Sequence, residues 1–422
     1  MVLPRMLPVR QTFPVTPPLD IAAEIRAQMK PVLGRLRPGA KIAVAVGSRG
    51  ITNLQRIVAE ALQALQGAGA KPFIVPAMGS HGGATPEGQT ALLADYGITE
   101  AQLGVPIRAS LEVAHLGKGE EGSDVYFSEE AGRADGVVII NRVKPHTDFG
   151  GCLGSGILKM MVVGLGKRVG AANFHACASR RGYEAVLRAS ARVTLRSAPI
   201  LCGVAIVENQ RHETAKLQVI LPDEMEAREL ELFAQARDWM PKLPFQDLDF
   251  LIVDRLGKNI SGAGMDPNVI GRGVHGYSSL LGDRSASPVI RRLLVRDLTP
   301  ETHGNAIGIG MADLTTSRLV RSIDQRVTAI NALTALTLQC AKIPIHFETD
   351  REAISRALDS LALGDPREAR VVRIADTLSL EHLEVSEAYL GTVRARRDLV
   401  ALNEPQEMSF DAQSNLMPLL DT

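Results

Sequence analysis

The chain has 422 residues, of which 45% are hydrophobic and 22% are charged, and 47 basic side chains balance 47 acidic ones. This length is typical of a globular protein with two domains, because a single hydrophobic core stops growing below it. The zero formal net charge excludes the strong basic bias that a nucleic-acid partner or an anionic membrane would favour.

The first half of the chain predicts strands that alternate with helices. Residues 1–40 are rich in proline and are interpreted as an arm that leads into a short helix at about 21–30, which Pro31 ends. Apolar runs and helical spacing then predict strands at 41–47, 72–76 and 134–141, and helices at 53–67, 85–96 and 179–191. Thr85 is expected to cap its helix, with Pro86 in the first turn. This alternation predicts a mainly parallel sheet covered by helices.

A domain boundary is predicted near Pro241–Pro244. Beyond it the sequence predicts strands at 248–254 and 305–310, a helix at 317–338 and a polar tail after Val393. We therefore predict an α/β protein with two domains, each with a mainly parallel or mixed sheet flanked by helices. The predicted ranges are 1–244, 245–395 and a tail at 396–422. The active site is expected in the cleft between the domains, where closure can exclude solvent.

Cysteine content and the start of the chain indicate a cytoplasmic protein. The four cysteines have no CxxC spacing and are too few for a disulfide framework: Cys152, Cys177, Cys202 and Cys340. Pro4 and Pro8 interrupt the start, where a secretory signal requires a continuous apolar core. No apolar run approaches the roughly 20 residues that cross a bilayer. We expect reduced thiols, a cytoplasmic location, and neither a membrane nor a nucleic acid as partner.

Unusual side chains follow three of the predicted strands. Arg49 follows the first, Gly79-Ser80-His81-Gly82-Gly83 follows the second, and a glycine-rich run from His146 to Lys159 follows the third. Ligands of open α/β sheets bind at the carboxyl ends of the strands. If the strands are parallel, these groups converge on one edge of the sheet.

Each candidate allows a second interpretation. Arg49 can bind a carboxylate through two hydrogen bonds or form a surface ion pair. His81 and its glycines can let a ligand approach the backbone at a helix N-terminus, or can form a tight turn. His146 alone is also compatible with an ordinary loop histidine. Lys159 lies in apolar sequence, so its amine is either desolvated and nucleophilic or reaches out to solvent. His175 suits a transition metal, but no HxxxH or CxxC pair accompanies it in the sequence.

The ordered set of these motifs resembles the N-terminal domain of the nickel-dependent lactate racemase family over about residues 15–240. The resemblance is carried by Ser48-Arg49, Gly79-Ser80-His81, Lys144-Pro145-His146 through Lys159, and Phe174-His175. The separation of Lys159 from His175 (175 − 159 = 16) agrees with the family pattern. The run from His146 to Lys159 is longer than in the family, and Met160-Met-Val-Val-Gly164 replaces the usual proline-glycine after the lysine.

The resemblance implies a racemase or epimerase of a small 2-hydroxy acid that uses a nickel pincer nucleotide. Lys159 would hold this cofactor through a thioamide bond, and His175 would be the protein ligand to nickel. The resemblance implies that His81 and His146 are the acid/base pair and that Arg49 holds the substrate carboxylate. The loop residues interpreted as cofactor-binding are Gly79, Ser80, Gly82 and Gly83.

The second predicted domain offers one further substrate-binding candidate. Lys258 lies in a glycine-rich loop, Gly257–Asp266, where Asn259 and Asp266 are equally compatible with a plain turn. Two other functions remain open at this level. One is a zinc or iron hydrolase or lyase that uses His81, His146 and His175 as direct ligands. The other is a ligand-binding protein without catalytic activity.

Overall fold

The computed structural model describes residues 2–47, 50–147, 151–274 and 288–419. The chain divides into two compact units. The N-terminal unit comprises Thr16–His146 and Gly150–Met240, and the C-terminal unit comprises Pro241–Thr422 together with Met1–Val15. The strands of the described residues are β1 (Met6–Gln11), β2 (Lys41–Val46), β3 (Lys71–Pro76), β4 (Val113–Lys118), β5 (Asp124–Ser128), β6 (Gly136–Arg142), β7 (Ile200–Glu208), β8 (Thr214–Ile220), β9 (Asp247–Leu256), β10 (Val289–Leu298), β11 (Leu314–Thr316), β12 (Ile345–Phe347), β13 (Val371–Ile374), β14 (His382–Ser386) and β15 (Leu399–Ala401).

The N-terminal unit is built on a five-stranded sheet in the order β3-β2-β6-β7-β8. The first four of these strands run parallel, and β8 pairs antiparallel with β7. Strands β4 and β5 form a separate antiparallel hairpin. The parallel strands are continuous apolar runs, as expected for strands with both faces covered. Because β2, β3 and β6 are parallel, the loops that follow them leave the same edge of the sheet.

Helices cover this sheet. Their bounds are Ile21–Leu33, Leu54–Gly67, Pro86–Asp95, Glu100–Leu103, Glu129–Gly132, Ile157–Lys159, Lys167–Arg181, Tyr183–Ser197 and Met225–Asp238, with 3₁₀ turns at Gly82–Ala84 and Pro222–Glu224 and a π-helical turn at Met160–Gly164. The predicted cap at Thr85 is confirmed, since its side chain accepts a hydrogen bond from the Gly88 amide and Pro86 begins the helix. The first helix continues through Pro31, which the sequence had predicted as its end. The helix predicted at 179–191 is two helices, because Gly182 has a positive φ of 90° between them.

The C-terminal unit contains an eight-stranded mixed sheet in the order β12-β11-β10-β9-β13-β14-β1-β15. Strands β9 to β13 pair in parallel, and the last three strands pair antiparallel. The helices are Pro267–Ile270, Ser317–Ser322, Gln325–Thr334, Asp350–Asp359 and Leu390–Ala395, with 3₁₀ turns at Pro300–Thr302, Ile309–Met311, Leu338–Ala341, Pro366–Glu368 and Glu387–Tyr389. The presence of two α/β units of this kind confirms the predicted fold class.

The two ends of the chain differ from the sequence-based description. Residues 6–11 form β1 between β14 and β15, so the predicted N-terminal arm is a strand of the C-terminal unit rather than part of a unit spanning 1–244. The predicted tail contributes β15 and the buried Leu416 to the same unit. Pairing between the two ends of the chain leaves no local sequence signal, because strand periodicity does not identify the partner strand.

Two predictions in the C-terminal unit are wrong. Residues 305–310 form turns rather than a strand, since Gly304 and Gly308 take positive φ values of 76° and 101°. The strand lies slightly later, as β11. The helix predicted at 317–338 is interrupted at Asp324, which caps a new helix by accepting from the Val327 amide. None of the helices in the described part of the chain has the length and apolar character needed to cross a bilayer.

Candidate functional site

The candidate site lies in the N-terminal unit, at the edge where β3 and β6 end. After β6 the chain makes a loop that Lys144 and Ser155 close by two backbone hydrogen bonds of 2.8 and 2.9 Å. Gly154 completes this closure, because a Cβ there would lie 2.5 Å from the Lys144 carbonyl oxygen and 2.8 Å from the His146 nitrogen. The pairing of Lys144 with Ser155 returns the chain beside His146.

Lys159 ends a short helix, Ile157–Lys159, that continues as the π-helical turn Met160–Gly164. The helix neighbours of Lys159 are buried, whereas the lysine itself is half-buried. Its Nζ lies 2.6 Å from Nε2 of His146, and 5.9 Å from the ring centroid of Tyr183. The structure thus brings the predicted tether lysine and one predicted acid/base histidine into direct contact.

His175 lies on the helix Lys167–Arg181 and is half-buried beside the ring of Phe174, at a centroid distance of 5.5 Å. Burial and, to a lesser extent, the positive charge of Lys159 lower the pKa of His175 from 6.5 to about 4. The ring is therefore neutral at neutral pH. A neutral imidazole is the form that ligates a metal.

Two residues that the sequence did not identify support this pair. The Tyr183 ring lies 5.1 Å from the His146 ring, and its hydroxyl donates to the Gly154 carbonyl at 3.0 Å. Glu229, fully buried on the helix Met225–Asp238, accepts from the Leu158 amide at 2.9 Å. Burial raises the pKa of this carboxyl to about 7. The only sequence signal for Glu229 is an acidic residue on the face of its helix that otherwise buries apolar side chains.

The loop after β3 carries the other candidates. Gly79, Gly82 and Gly83 all have positive φ values near 60°, which glycine adopts without strain. Gly79 is buried and donates its amide to the Gly164 carbonyl at 3.1 Å, whereas Ser80 and His81 are exposed. Gly82 packs against Gly88 in the next helix so closely that neither has room for a side chain. These glycines form a tight turn, as one of the two interpretations predicts. Their contact with a cofactor stays a prediction.

Arg49 lies outside the described residues, and its role stays a prediction. Lys258 lies in the C-terminal unit, where its Nζ donates to the Gly262 carbonyl at 2.8 Å within the same loop. Asn259 accepts a 2.6 Å hydrogen bond from Thr299, and Asp266 caps the following short helix. These contacts fit the interpretation of the loop as a turn, and the substrate contact of Lys258 stays a prediction.

The described ranges contain no metal-binding site built from three or more protein side chains. No group of three or more His, Cys, Asp or Glu side chains is arranged there to hold a metal ion. His81, His146 and His175 all lie in those ranges, so the alternative in which they jointly ligate zinc or iron finds no support in the geometry.

Comparisons with known proteins relate the chain to one family model and to solved structures. Residues 21–185 match the family model described as the lactate racemase N-terminal domain. The crystal structure of a protein from Thermotoga maritima is similar with a TM-score of 0.51 and 12% identity, covering 85% of this chain and 97% of that one. The lactate racemase apoprotein from Thermoanaerobacterium thermosaccharolyticum gives a TM-score of 0.48 and 14% identity, covering 84% and 92%. No curated protein matches the sequence. The likeness to the Thermotoga protein shows a common fold alone.

Proposed function

We propose that the chain inverts C2 of a small 2-hydroxy acid, from the premise that residues 21–185 match the lactate racemase N-terminal domain, which confirms the predicted resemblance. The proposed cofactor is a nickel pincer nucleotide joined to Lys159. The observation that carries the proposal is the 2.6 Å contact between Lys159 and His146 on the sheet edge where a neutral His175 also lies.

The residues present fit such a cofactor. Lys159 offers a primary amine on a helix whose other side chains are buried, and His175 offers one neutral nitrogen ligand. The described residues form no group of three or more His, Cys, Asp or Glu side chains that could hold a metal, which suits a cofactor that brings its own donors. When bound, the cofactor would supply the acceptance and return of the C2 hydride, which no amino-acid side chain performs.

His146 would change partners when the tether forms. As an ammonium, Lys159 donates to Nε2 of His146 and occupies the lone pair that a general base needs. Conversion of the amine into a thioamide removes the positive charge from Nζ and leaves a weaker donor. His146 can then accept the substrate hydroxyl proton, because imidazole is the side chain best suited to proton transfer near neutral pH.

His81 would act from the second loop. Its loop leaves the same sheet edge as His146, and the Gly79–Gly164 hydrogen bond joins it to the segment that follows Lys159. Two proton-transfer groups on separate loops suit inversion, because removal and return of hydrogen occur on opposite faces of a planar 2-keto acid. Arg49 is proposed to hold the carboxylate through paired hydrogen bonds.

The test is a panel of chiral 2-hydroxy acids assayed by chiral separation, with protein produced alongside a cofactor-synthesis pathway. Wild type is expected to racemise or epimerise at least one acid, and Lys159→Arg is expected to lose this activity. Lys118→Arg, at an exposed lysine on β4, is the matched control and should retain it. Loaded wild type that inverts no acid in the panel would refute the function, and a fully active Lys159→Arg variant would refute the tether.

A further inference from the structure

A second lysine close to the site is more deeply buried than Lys159. Lys167 begins the helix Lys167–Arg181, is 0% exposed, and has a positive φ of 55° that residues other than glycine seldom adopt. Its Nζ donates to the carbonyl of Pro76, the last residue of β3, at 2.6 Å. Burial lowers the pKa of this amine to about 8. The ammonium is therefore held at the carboxyl end of β3.

Such a lysine is costly to the fold. An ammonium removed from water loses solvation that a single carbonyl partner replaces only in part, and the left-handed backbone adds strain. A methionine of similar length would fill the same space without the charge. Because Lys167 destabilises the folded state in this way, its hydrogen bond to Pro76 calls for a functional explanation.

Gln89 also donates hydrogen bonds to backbone carbonyls of the loop that follows β3. It is 0% exposed on the helix Pro86–Asp95, and its Nε2 donates to the carbonyls of Gly79 at 3.0 Å and His81 at 3.4 Å. Its Oε1 is buried and has no hydrogen-bond partner. The chain therefore leaves one buried acceptor unsatisfied, while both donor contacts of Gln89 go to the loop that carries His81.

Three sets of hydrogen bonds hold the loop that carries His81. Lys167 holds its start at Pro76, Gln89 holds Gly79 and His81, and the Gly79 amide donates to Gly164 at 3.1 Å. Gly164 ends the helical segment that begins just before Lys159. A Cβ at Gly164 would lie 2.6 Å from the Ala77 carbonyl oxygen, so this close approach also depends on glycine.

We propose that Lys167 and Gln89 are positioning residues that hold the His81 loop against the segment carrying Lys159. They act through backbone carbonyls and do not themselves contact the reacting atoms. Their importance for turnover rests on the proposed function, in which His81 must reach one face of a substrate bound beside Lys159. A small displacement of such a proton-transfer group costs a large factor in rate.

The first test measures hydrogen exchange in Lys167→Met and Gln89→Met, using protein without cofactor. Methionine approximates the length of both side chains and removes their donors. We expect the amides of Gly79 and His81 to exchange about tenfold faster or more, while those of β2 are unchanged and the melting temperature does not fall. Lys71→Met, at the exposed start of β3, is the control and should leave the loop amides unchanged. Unchanged exchange at Gly79 and His81, or faster exchange throughout with a lower melting temperature, would overturn the proposal.

The second test measures turnover of loaded variants on whichever acid wild type inverts. Displacement of His81 should lower kcat by about tenfold or more and leave KM within about twofold, because the carboxylate is bound by other groups. Faster loop exchange with an unchanged kcat would overturn the catalytic part of the proposal. A wild type that inverts nothing would refute the proposed function, while the exchange experiment would still decide whether the two residues hold the loop.

Discussion

Lys159 and Lys167 are eight positions apart (167 − 159 = 8) yet lie in different environments. Lys159 is half-buried with its amine against His146, whereas Lys167 is fully buried with its amine on the Pro76 carbonyl. A histidine nitrogen can exchange a proton with an amine, and a carbonyl oxygen can only accept a hydrogen bond. The partner atom, more than burial, therefore distinguishes the lysine proposed as the tether from the lysine proposed as a positioning residue.

The largest effect is expected at the partner of Lys159. His146→Gln should lower kcat by about a hundredfold to ten-thousandfold, the usual contribution of a general acid or base, while the cofactor stays on Lys159. Chiral assays and peptide mass spectrometry of the same preparation measure both quantities. His115→Gln, at an exposed histidine paired with Asp124, is the control and should retain wild-type turnover. Wild-type activity in His146→Gln would remove His146 from the acid/base pair.

The next effect concerns the burial of Lys167. Its native pKa of about 8 lies below the ordinary 10.5, so the unfolded state binds more protons between these values and wild-type stability should rise with pH there. The rise should amount to about 3 kcal/mol, and Lys167→Met should lack it. Urea unfolding at pH 7, 9 and 10.5 measures the difference. An identical pH dependence in both proteins would contradict the assigned burial.

Glu229, which accepts a hydrogen bond from the amide of Leu158 next to Lys159, allows the corresponding test of burial. Its native pKa of about 7 lies above the ordinary 4.5, so its contribution to stability is complete below pH 4.5 and is lost as the pH rises through 7. Glu229→Gln keeps an acceptor for the Leu158 amide and should remove this loss, about 3 kcal/mol in urea unfolding. Glu231→Gln, exposed on the same helix, is the control. If the two variants show the same pH dependence, Glu229 does not titrate as burial requires.

The smallest effect is expected at Lys258, a lysine that also donates to a backbone carbonyl. Lys258→Met should lower the unfolding free energy by about 1 kcal/mol through loss of the Gly262 hydrogen bond, without changing the cofactor on Lys159. Denaturant unfolding and peptide mass together check this. A selective rise in KM would instead support the substrate contact that the sequence predicts.

The sequence predicted β2, β3, β6 and β9, because these buried strands and the loops that follow them have local signals, but it did not predict the parallel strands β7, β10, β12 and β13. It did not predict β1 or β15, whose partners are distant in the chain. Within the candidate site it identified His146 and Lys159 as candidates but not their contact, which lies beside the loop closure between Lys144 and Ser155. Glu229 and Lys167 were missed because a charged residue in a helix is usually exposed, and only tertiary packing shows that these two are buried.

The most direct measurement is the mass of the peptides that contain Lys159 and Lys167, from active protein produced with the cofactor-synthesis pathway. The account predicts added mass on Lys159 and an unmodified Lys167. Active, nickel-containing protein with an unmodified Lys159, or with the added mass on Lys167, would contradict it.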